Sequence, residues 1–285
     1  RALLRLPDDM LQQWMAFYLK CERSGKWPRG IGVVVVVLLP KPDGGFRPIG
    51  LIPHSPRVWM RMRRPEAKRW ETKCDRSYLY AGSGRGSTVA AWKQAARGEL
   101  AAATGKNYAQ VLLDLVKAFE RIPYRVLLRE ATRLQYPIRL IRLAIATYKL
   151  PRVIRVGTAY SDLVVAMRGI VAGSGLATTE MRVVMINIVD GALLQHPSVT
   201  PTLFVDDLSS KKEGSDEHIV EELVGFNDLV ARRIHEDGME VSQAKSVVSA
   251  PSPSLGAAMV AALRPHGIKH TLRVKSLGVG LAAGA

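Results

Sequence analysis

Leu203-Phe204-Val205-Asp206-Asp207-Leu208 is the stretch on which the reading of this chain turns. Two adjacent acids interrupt an apolar run with the character of a strand. Carboxylates flanked by apolar strand residues are costly to bury unless they are paired or hold cations. Thr202 to Lys212 reads as strand, turn and strand, with the acids at the tip. Adjacent residues of a strand point to opposite faces, so one aspartate can serve as the principal ligand and its neighbour as a secondary one. A further acid, Asp114, closes the short apolar run that begins at Ala109. Asp206-Asp207 alone is a weak signal and fits a pair of solvated turn acids better. Together with Asp114 it makes a carboxylate set suited to two Mg²⁺ ions, hard cations that take oxygen ligands.

Working outward, the chain has 285 residues, 47% of them hydrophobic, enough for a sizeable core. Lys and Arg number 41 against 25 Asp and Glu, a net charge of +16. That surplus favours a polyanionic partner, nucleic acid ahead of an anionic membrane. Cys21 and Cys74 lie far apart without a CxxC or Cys/His cluster, which disfavours a disulfide framework or zinc site and fits a reducing compartment. The run Ile31 to Leu39 is too short to span a bilayer and rich in β-branched residues, so a buried strand is expected there. No signal peptide is expected, and the start at Arg1 is expected to reflect a piece of something longer.

Helices are expected over Asp8 to Lys20, beyond Pro65 in the basic stretch Arg57 to Lys73, and over Thr88 to Leu100, Tyr124 to Leu134 and Pro137 to Leu150. A hairpin with a basic tip is expected around Pro40 to Ile49, and another around Gly157. The Gly-rich loop Gly169 to Gly175 leads into a helix from Ala177 to about Val189. Ser215 to Glu236 reads as a capped helix, Gly238 to Val248 as strand-like, Ala250 to Ser254 as a loop, and Thr271 to Gly280 as a last β-ribbon. Strands and helices alternate without a clean βαβ period, which argues an α+β class with an antiparallel sheet. One boundary is expected near Lys106, separating 1–106 from 107–285.

Several segments, in order, resemble the reverse transcriptase family, closest to its non-LTR retrotransposon and group II intron types. Pro40-Lys41-Pro42-Asp43-Gly44-Gly45-Phe46-Arg47-Pro48-Ile49 resembles the fingers signature. Tyr80-Ala81-Gly82-Ser83-Gly84-Arg85-Gly86-Ser87-Thr88 resembles the Gly/Arg segment before the first palm motif. Asp114-Leu115-Val116-Lys117-Ala118-Phe119-Glu120 is similar to D-x-x-K-A-F-D, and Arg168-Gly169-Ile170-Val171-Ala172-Gly173-Ser174-Gly175-Leu176 to R-G-x-x-Q-G-x-P-L. Phe204-Val205-Asp206-Asp207 matches [FY]-x-D-D. Gly238 to Lys245 resembles G-L-x-x-N-x-x-K, and Leu277-Gly278-Val279 the Y-L-G primer-grip turn.

The resemblance implies a right-hand polymerase with fingers and palm, an antiparallel palm sheet flanked by helices and no thumb. The fingers would fill 1–106 and the palm 107–285, in one domain over about 33–280. It implies an RNA-directed DNA polymerase of a retrotransposon-like element, working on RNA template, DNA primer and dNTP inside the cell, in nucleus or cytoplasm. Thumb and endonuclease domains would lie outside this chain, and no membrane is involved. Asp114, Asp206 and Asp207, with the Leu115 carbonyl, would hold two Mg²⁺ ions, Mn²⁺ being the substitute. Lys41, Arg47, Phe119, Gly173 and Lys245 would bind the nucleotide: the cations on phosphates, Phe119 under the sugar where it excludes a 2′-hydroxyl, Gly173 giving close backbone approach, Lys245 as proton donor. Arg57, Arg61, Arg63, Arg64, Lys68, Arg69 and Arg85 would contact nucleic acid.

The chain departs from the family at Ala172, where Gln is usual, and at Gly175, Ala177 and Thr178, where Pro, Ser and Pro are usual. Glu120 replaces an Asp and Ser242 an Asn. Two other readings stay open: a catalytically impaired, nucleic-acid-binding remnant of such an element, and an RNA-dependent RNA polymerase. Against the latter stand Val205 before the acids, where Gly is usual, and Phe119.

Overall fold

The computed structural model describes residues 6–41, 44–82, 84–277 and 279–282. The elements run α1 (Asp8–Ser24), β1 (Val34–Pro40), β2 (Phe46–Leu51), α2 (His54–Lys73), α3 (Ser87–Ala103) and β3 (Asn107–Leu113). Then come α4 (Ala118–Arg121), α5 (Tyr124–Arg133), α6 (Ile138–Tyr148), β4 (Arg152–Val156), β5 (Ala159–Tyr160) and α7 (Ala177–Gln195). The last stretch holds β6 (Thr200–Phe204), β7 (Asp207–Gly214), α8 (Asp216–Ile219), α9 (Gly225–Glu236), β8 (Val247–Ser249), α10 (Pro253–Ala262), β9 (Lys269–Thr271), β10 (Arg273–Ser276) and β11 (Val279–Ala282). The class is α+β, with sheets rich in antiparallel pairs and flanked by helices. Two pairings, β1 with β4 and β8 with β9, are parallel.

The chain forms two compact units, each built from two stretches: residues 1–73 with 119–183, and 74–118 with 184–285. A single cut near Lys106 does not describe this, because residues 119–183 return to the first unit, where β4 adds to β1 in register.

In the first unit the sheet order is β2-β1-β4-β5. β1 is a strand as expected, but only Val34 is fully buried; Val35 to Leu38 are half-covered and Leu39 is exposed. α2 runs unbroken through Pro65, where the sequence suggested a start beyond it. The core gathers Tyr18, Trp59, Tyr136 and Tyr148. Glu22, almost wholly buried, is held by the Trp59 indole N–H at 2.7 Å and by both nitrogens of a forked Arg63 contact.

Glu180, in the first turn of α7, is fully buried and accepts a hydrogen bond from the Tyr148 hydroxyl. Burial pushes its carboxyl up to about 8, and the Tyr148 bond only partly offsets this. Tyr148 also shares a hydrogen bond with the Ser174 hydroxyl, tying α7 to the Gly-rich loop. In that loop Gly173 has φ +115, and a Cβ there would stand 2.5 Å from the Gly50 carbonyl oxygen on β2. The neighbouring Gly50 N–H donates to the Ala172 carbonyl at 2.6 Å. Glycine at 173 is therefore required by the approach of loop to strand.

In the second unit the order is β6-β7-β3-β8-β9, and β10 pairs antiparallel with β11. Ser215 caps the helix after β7 as expected, accepting from the His218 N–H. The helix passes through a π-helical segment, Val220–Val224, before α9. Asn227 is buried there and donates to the Leu223 carbonyl and the Ser210 hydroxyl of β7. Gly238 to Val248 is not one strand: only Val247–Ser249 is, with an isolated bridge between Leu115 and Val241. α10 lies where only a loop was expected; Ser252 caps it, accepting from the Leu255 N–H, with Pro253 in its first turn. Gly278 of the expected primer-grip turn, Pro42 and Asp43 of the first hairpin tip, and Ser83 lie outside the described residues.

Glu180 loses its proton near 4.5 in an unfolded chain and near 8 in the folded one. Folding therefore takes up a proton between those values, and stability falls as pH rises through that window, at a limiting slope of roughly 1.4 kcal/mol per pH unit. Urea denaturation at a series of pH values should show this fall, and Glu180→Gln should flatten it. Gly173→Ala should lower the unfolding free energy by about 2 kcal/mol or more in the same assay, because the strained φ and the Gly50 contact act together.

Candidate active site

Asp114 directly follows β3, the strand that pairs antiparallel with β7 through Leu113 opposite Leu208. One further step of that register sets Asp114 across from Asp207. Like charges directly opposite on neighbouring strands repel. Partial burial and then the Asp114 carboxylate push the Asp207 carboxyl upward, and the Lys245 ammonium pulls it back. The Lys245 Nζ lies 3.8 Å from Asp114 Oδ2, on a side chain that remains 61% exposed.

Asp114 is fixed from the other side of β3. Its N–H donates to the Ser246 hydroxyl at 3.1 Å, and its carbonyl accepts from the Ser242 N–H at 2.7 Å. Val116 N–H donates to the Glu240 carbonyl at 2.9 Å. Leu115 lies between these bonds, opposite Val241, so its own carbonyl points to the other edge, the one carrying β7. That carbonyl accepts no hydrogen bond among the described residues. From the sequence Ser242 stands out only as a replacement for the family's Asn, and Ser246 carries no signal, since Ser-x-x-x-Ser flanking Lys245 is too common to be read.

The hairpin joins β6 to β7 through the two-residue turn Val205-Asp206, with Phe204 opposite Asp207. Val205 has φ 62, a left-handed conformation that a β-branched residue adopts only under strain. Asp206 is half-buried beside it. Among the described residues no group of three or more His, Cys, Asp or Glu side chains is gathered closely enough to hold a metal ion. The opposed acids are the pair Asp114 and Asp207, and Asp206 is not drawn with them into a cluster of three. Two repelling carboxylates beside a free carbonyl oxygen nevertheless make a donor set of the kind a hard cation takes.

In the first unit, Lys41 and Arg47 flank the tip of the β1–β2 hairpin. The Lys41 N–H donates to the Gly45 carbonyl, and Arg47 pairs with Leu39. That register sets the two cations on one face of the ribbon as diagonal neighbours. Phe119 is half-buried, and its carbonyl accepts from Ile170 N–H of the Gly-rich loop. Arg57, Arg61, Arg64 and Lys68 recur at helical spacing on an exposed stripe of α2, with Arg69 exposed beside it. Arg63 is not free for a ligand, being paired with Glu22. Arg85 is likewise occupied: it grips Asp75 and the carbonyls of Arg76 and Leu79.

The geometry has counterparts among known proteins. Over residues 39–281 the chain matches the family model described as reverse transcriptase (RNA-dependent DNA polymerase). No curated protein matches it by sequence. Similar solved structures include apo telomerase from Candida tropicalis, at 11% identity and TM-score 0.60, covering 96% of this chain and 51% of that one. A form of that enzyme truncated from its C-terminal domain gives 12% identity and TM-score 0.59, covering 88% and 53%. Telomerase from Candida albicans with a TWJ fragment of telomeric RNA gives 13% identity and TM-score 0.56, covering 95% and 48%. This chain thus spans about half the length of these telomerase chains, and at such identities the likeness speaks for the fold. The match over residues 39–281, the Phe204-Val205-Asp206-Asp207 hairpin and the acid opposed to it make this chain a member of the reverse transcriptase (RNA-dependent DNA polymerase) family.

Proposed function

We propose that this chain is the fingers and palm of an RNA-directed DNA polymerase from a retrotransposon-like element, adding deoxynucleotides to a primer 3′-hydroxyl on an RNA template. The observation that carries the reading is the opposition of Asp114 and Asp207 across β3 and β7, two carboxylates that repel unless a cation lies between them. Asp114, Asp206, Asp207 and the Leu115 carbonyl would hold the divalent ions, two Mg²⁺ with Mn²⁺ as substitute. When bound, such ions supply a lowered hydroxyl pKa and charge stabilisation for the leaving pyrophosphate.

The chain's own groups do the rest. Lys41 and Arg47, on one ribbon face, bind triphosphate oxygens. Phe119 supports the sugar and excludes a 2′-hydroxyl. Gly173 keeps its loop tight against β2 and so sets the backbone next to the nucleotide. Lys245 leaves Asp114 to protonate the pyrophosphate. The stripe Arg57, Arg61, Arg64 and Lys68 tracks a nucleic-acid backbone, consistent with the net charge of +16. In this proposal the fingers correspond to the first unit and the palm to the second, and the protein works inside the cell, in nucleus or cytoplasm. Ala172 favours a second reading, a nucleic-acid-binding remnant that no longer polymerises, because an alanine has no side-chain amide to align template or base.

Primer extension on RNA with dNTPs and Mg²⁺ separates these readings. Asp114→Asn and Asp206→Asn should each lower the rate by about two orders of magnitude or more, the scale on which lost charge stabilisation is felt. Wild type no faster than Asp206→Asn would leave the remnant reading standing, and preferential use of NTPs would point to an RNA polymerase. A second outcome is independent of turnover. In chelator, Asp207→Asn should stabilise the fold by about 0.5 kcal/mol by removing the opposed charge. Added Mg²⁺ should raise the melting temperature of wild type and do so far less for Asp207→Asn.

A further inference from the structure

On the face of the second unit's sheet covered by α3, β7 carries Lys211, which is only 4% exposed. Its register partners are Thr200 on β6 and Gln110 on β3. Among the described residues the Lys211 ammonium makes no hydrogen bond and no ion pair. The side chain lines two adjoining hollows of about 390 and 330 Å³, and the exposed Arg97 of α3 lines both with it. Lys93, one turn earlier on α3, borders the larger hollow and lies over the Tyr80 ring at 5.5 Å from its centre. Lys212 and Glu213 border the smaller one, and among the described residues Glu213 is the single carboxylate lining either hollow.

Four cations facing one carboxylate leave a local excess of three positive charges. Burying an ammonium beside other cations is unfavourable without a counter-charge. Burial, then Arg97, and to a lesser degree Lys93, push the Lys211 ammonium down to about 8, while Glu213 opposes the shift. The larger hollow also offers the hydroxyls of Thr200 and Thr202 as donors, and Leu193 and Val199 as an apolar wall.

We propose that this hollow is a phosphate-monoester site, with Lys211 as its buried anchor and Arg97 and Lys93 closing over the oxygens. The match is one of charge: a phosphate monoester carries about −1.5 to −2 near neutral pH and has three acceptor oxygens. A carboxylate or an internal phosphodiester carries about half of that. The hollow is larger than one phosphate needs and falls within the usual range for small ligands, which leaves room for the ester's organic part. The same chemistry could arrive on a free nucleotide or at the 5′ end of a nucleic-acid strand. The site is formed by α3, β6 and β7 and does not depend on the polymerase reading.

Calorimetric titration of the whole chain with inorganic phosphate, with adenosine 5′-monophosphate, and with a short single-stranded RNA bearing or lacking a 5′-phosphate tests the site. Saturable phosphate binding is expected, weakened about tenfold by Lys211→Met and by Arg97→Gln, the loss of one charge-assisted hydrogen bond each. Arg97 is exposed, so its replacement tests the site even if Lys211→Met perturbs folding. Lys149→Gln, an equal charge loss in the other unit, should change nothing. Tighter binding of the monophosphate supports a free nucleotide, and a gain from the RNA 5′-phosphate that Arg97→Gln abolishes supports a strand end. No saturable phosphate binding, or equal weakening by all three substitutions, overturns the proposal.

Discussion

Two carboxylates set face to face across neighbouring strands are the constraint around which the second unit is arranged. β3 and β7 bring Asp114 and Asp207 together, and Lys245, on a largely exposed side chain, supplies partial relief. Holding them there takes structure on both sides. The Ser242 to Ser246 turn locks the backbone of Asp114 from one edge, and the strained Val205-Asp206 turn delivers Asp207 from the other. A sequence selected for stability alone would have no reason to oppose these charges or to place a β-branched residue at a left-handed φ.

The features legible in the sequence were the local ones. An apolar run ended by an acid identified β3 and Asp114, and acids at the tip of an apolar hairpin identified the β6–β7 turn. Ser215 announced its helix because a capping hydroxyl is a short-range signal. Pro65 misled because a proline inside an exposed helix face removes one hydrogen bond without stopping the helix when neighbouring turns are packed. α10 was missed although Ser252-Pro253 is a fair start signal, since its residues are almost uniformly small or apolar and carry no helical period. Gly238 to Val248 alternates like a strand but is held by a bridge and a turn.

What stayed hidden was long-range. Nothing in residues 34–40 announces that β4 will join them in parallel, or that the chain will build two units from interleaved stretches. Charge is equally mute about place. Arg63 and Arg64 are neighbours in sequence, yet one neutralises a buried glutamate and the other faces water. Glu180 and Lys211 look like ordinary surface residues in the sequence, and only the packing around them reveals a carboxylic acid and an ammonium inside the protein.

The parallel pairing of β1 with β4 has a consequence for how the protein is made. Val34 waits for Arg152, 118 positions later, before that edge of the first sheet is covered. During synthesis β1 can pair with β2 at once, but its other edge stays open, and loop closure over so many residues is slow. An uncovered, Val-rich edge is a template for pairing with another copy of itself. The nascent chain is therefore most prone to aggregation between completion of the first hairpin and emergence of β4. Chaperone demand should concentrate in that interval, and fragments ending short of Arg152 should be insoluble where longer ones are not.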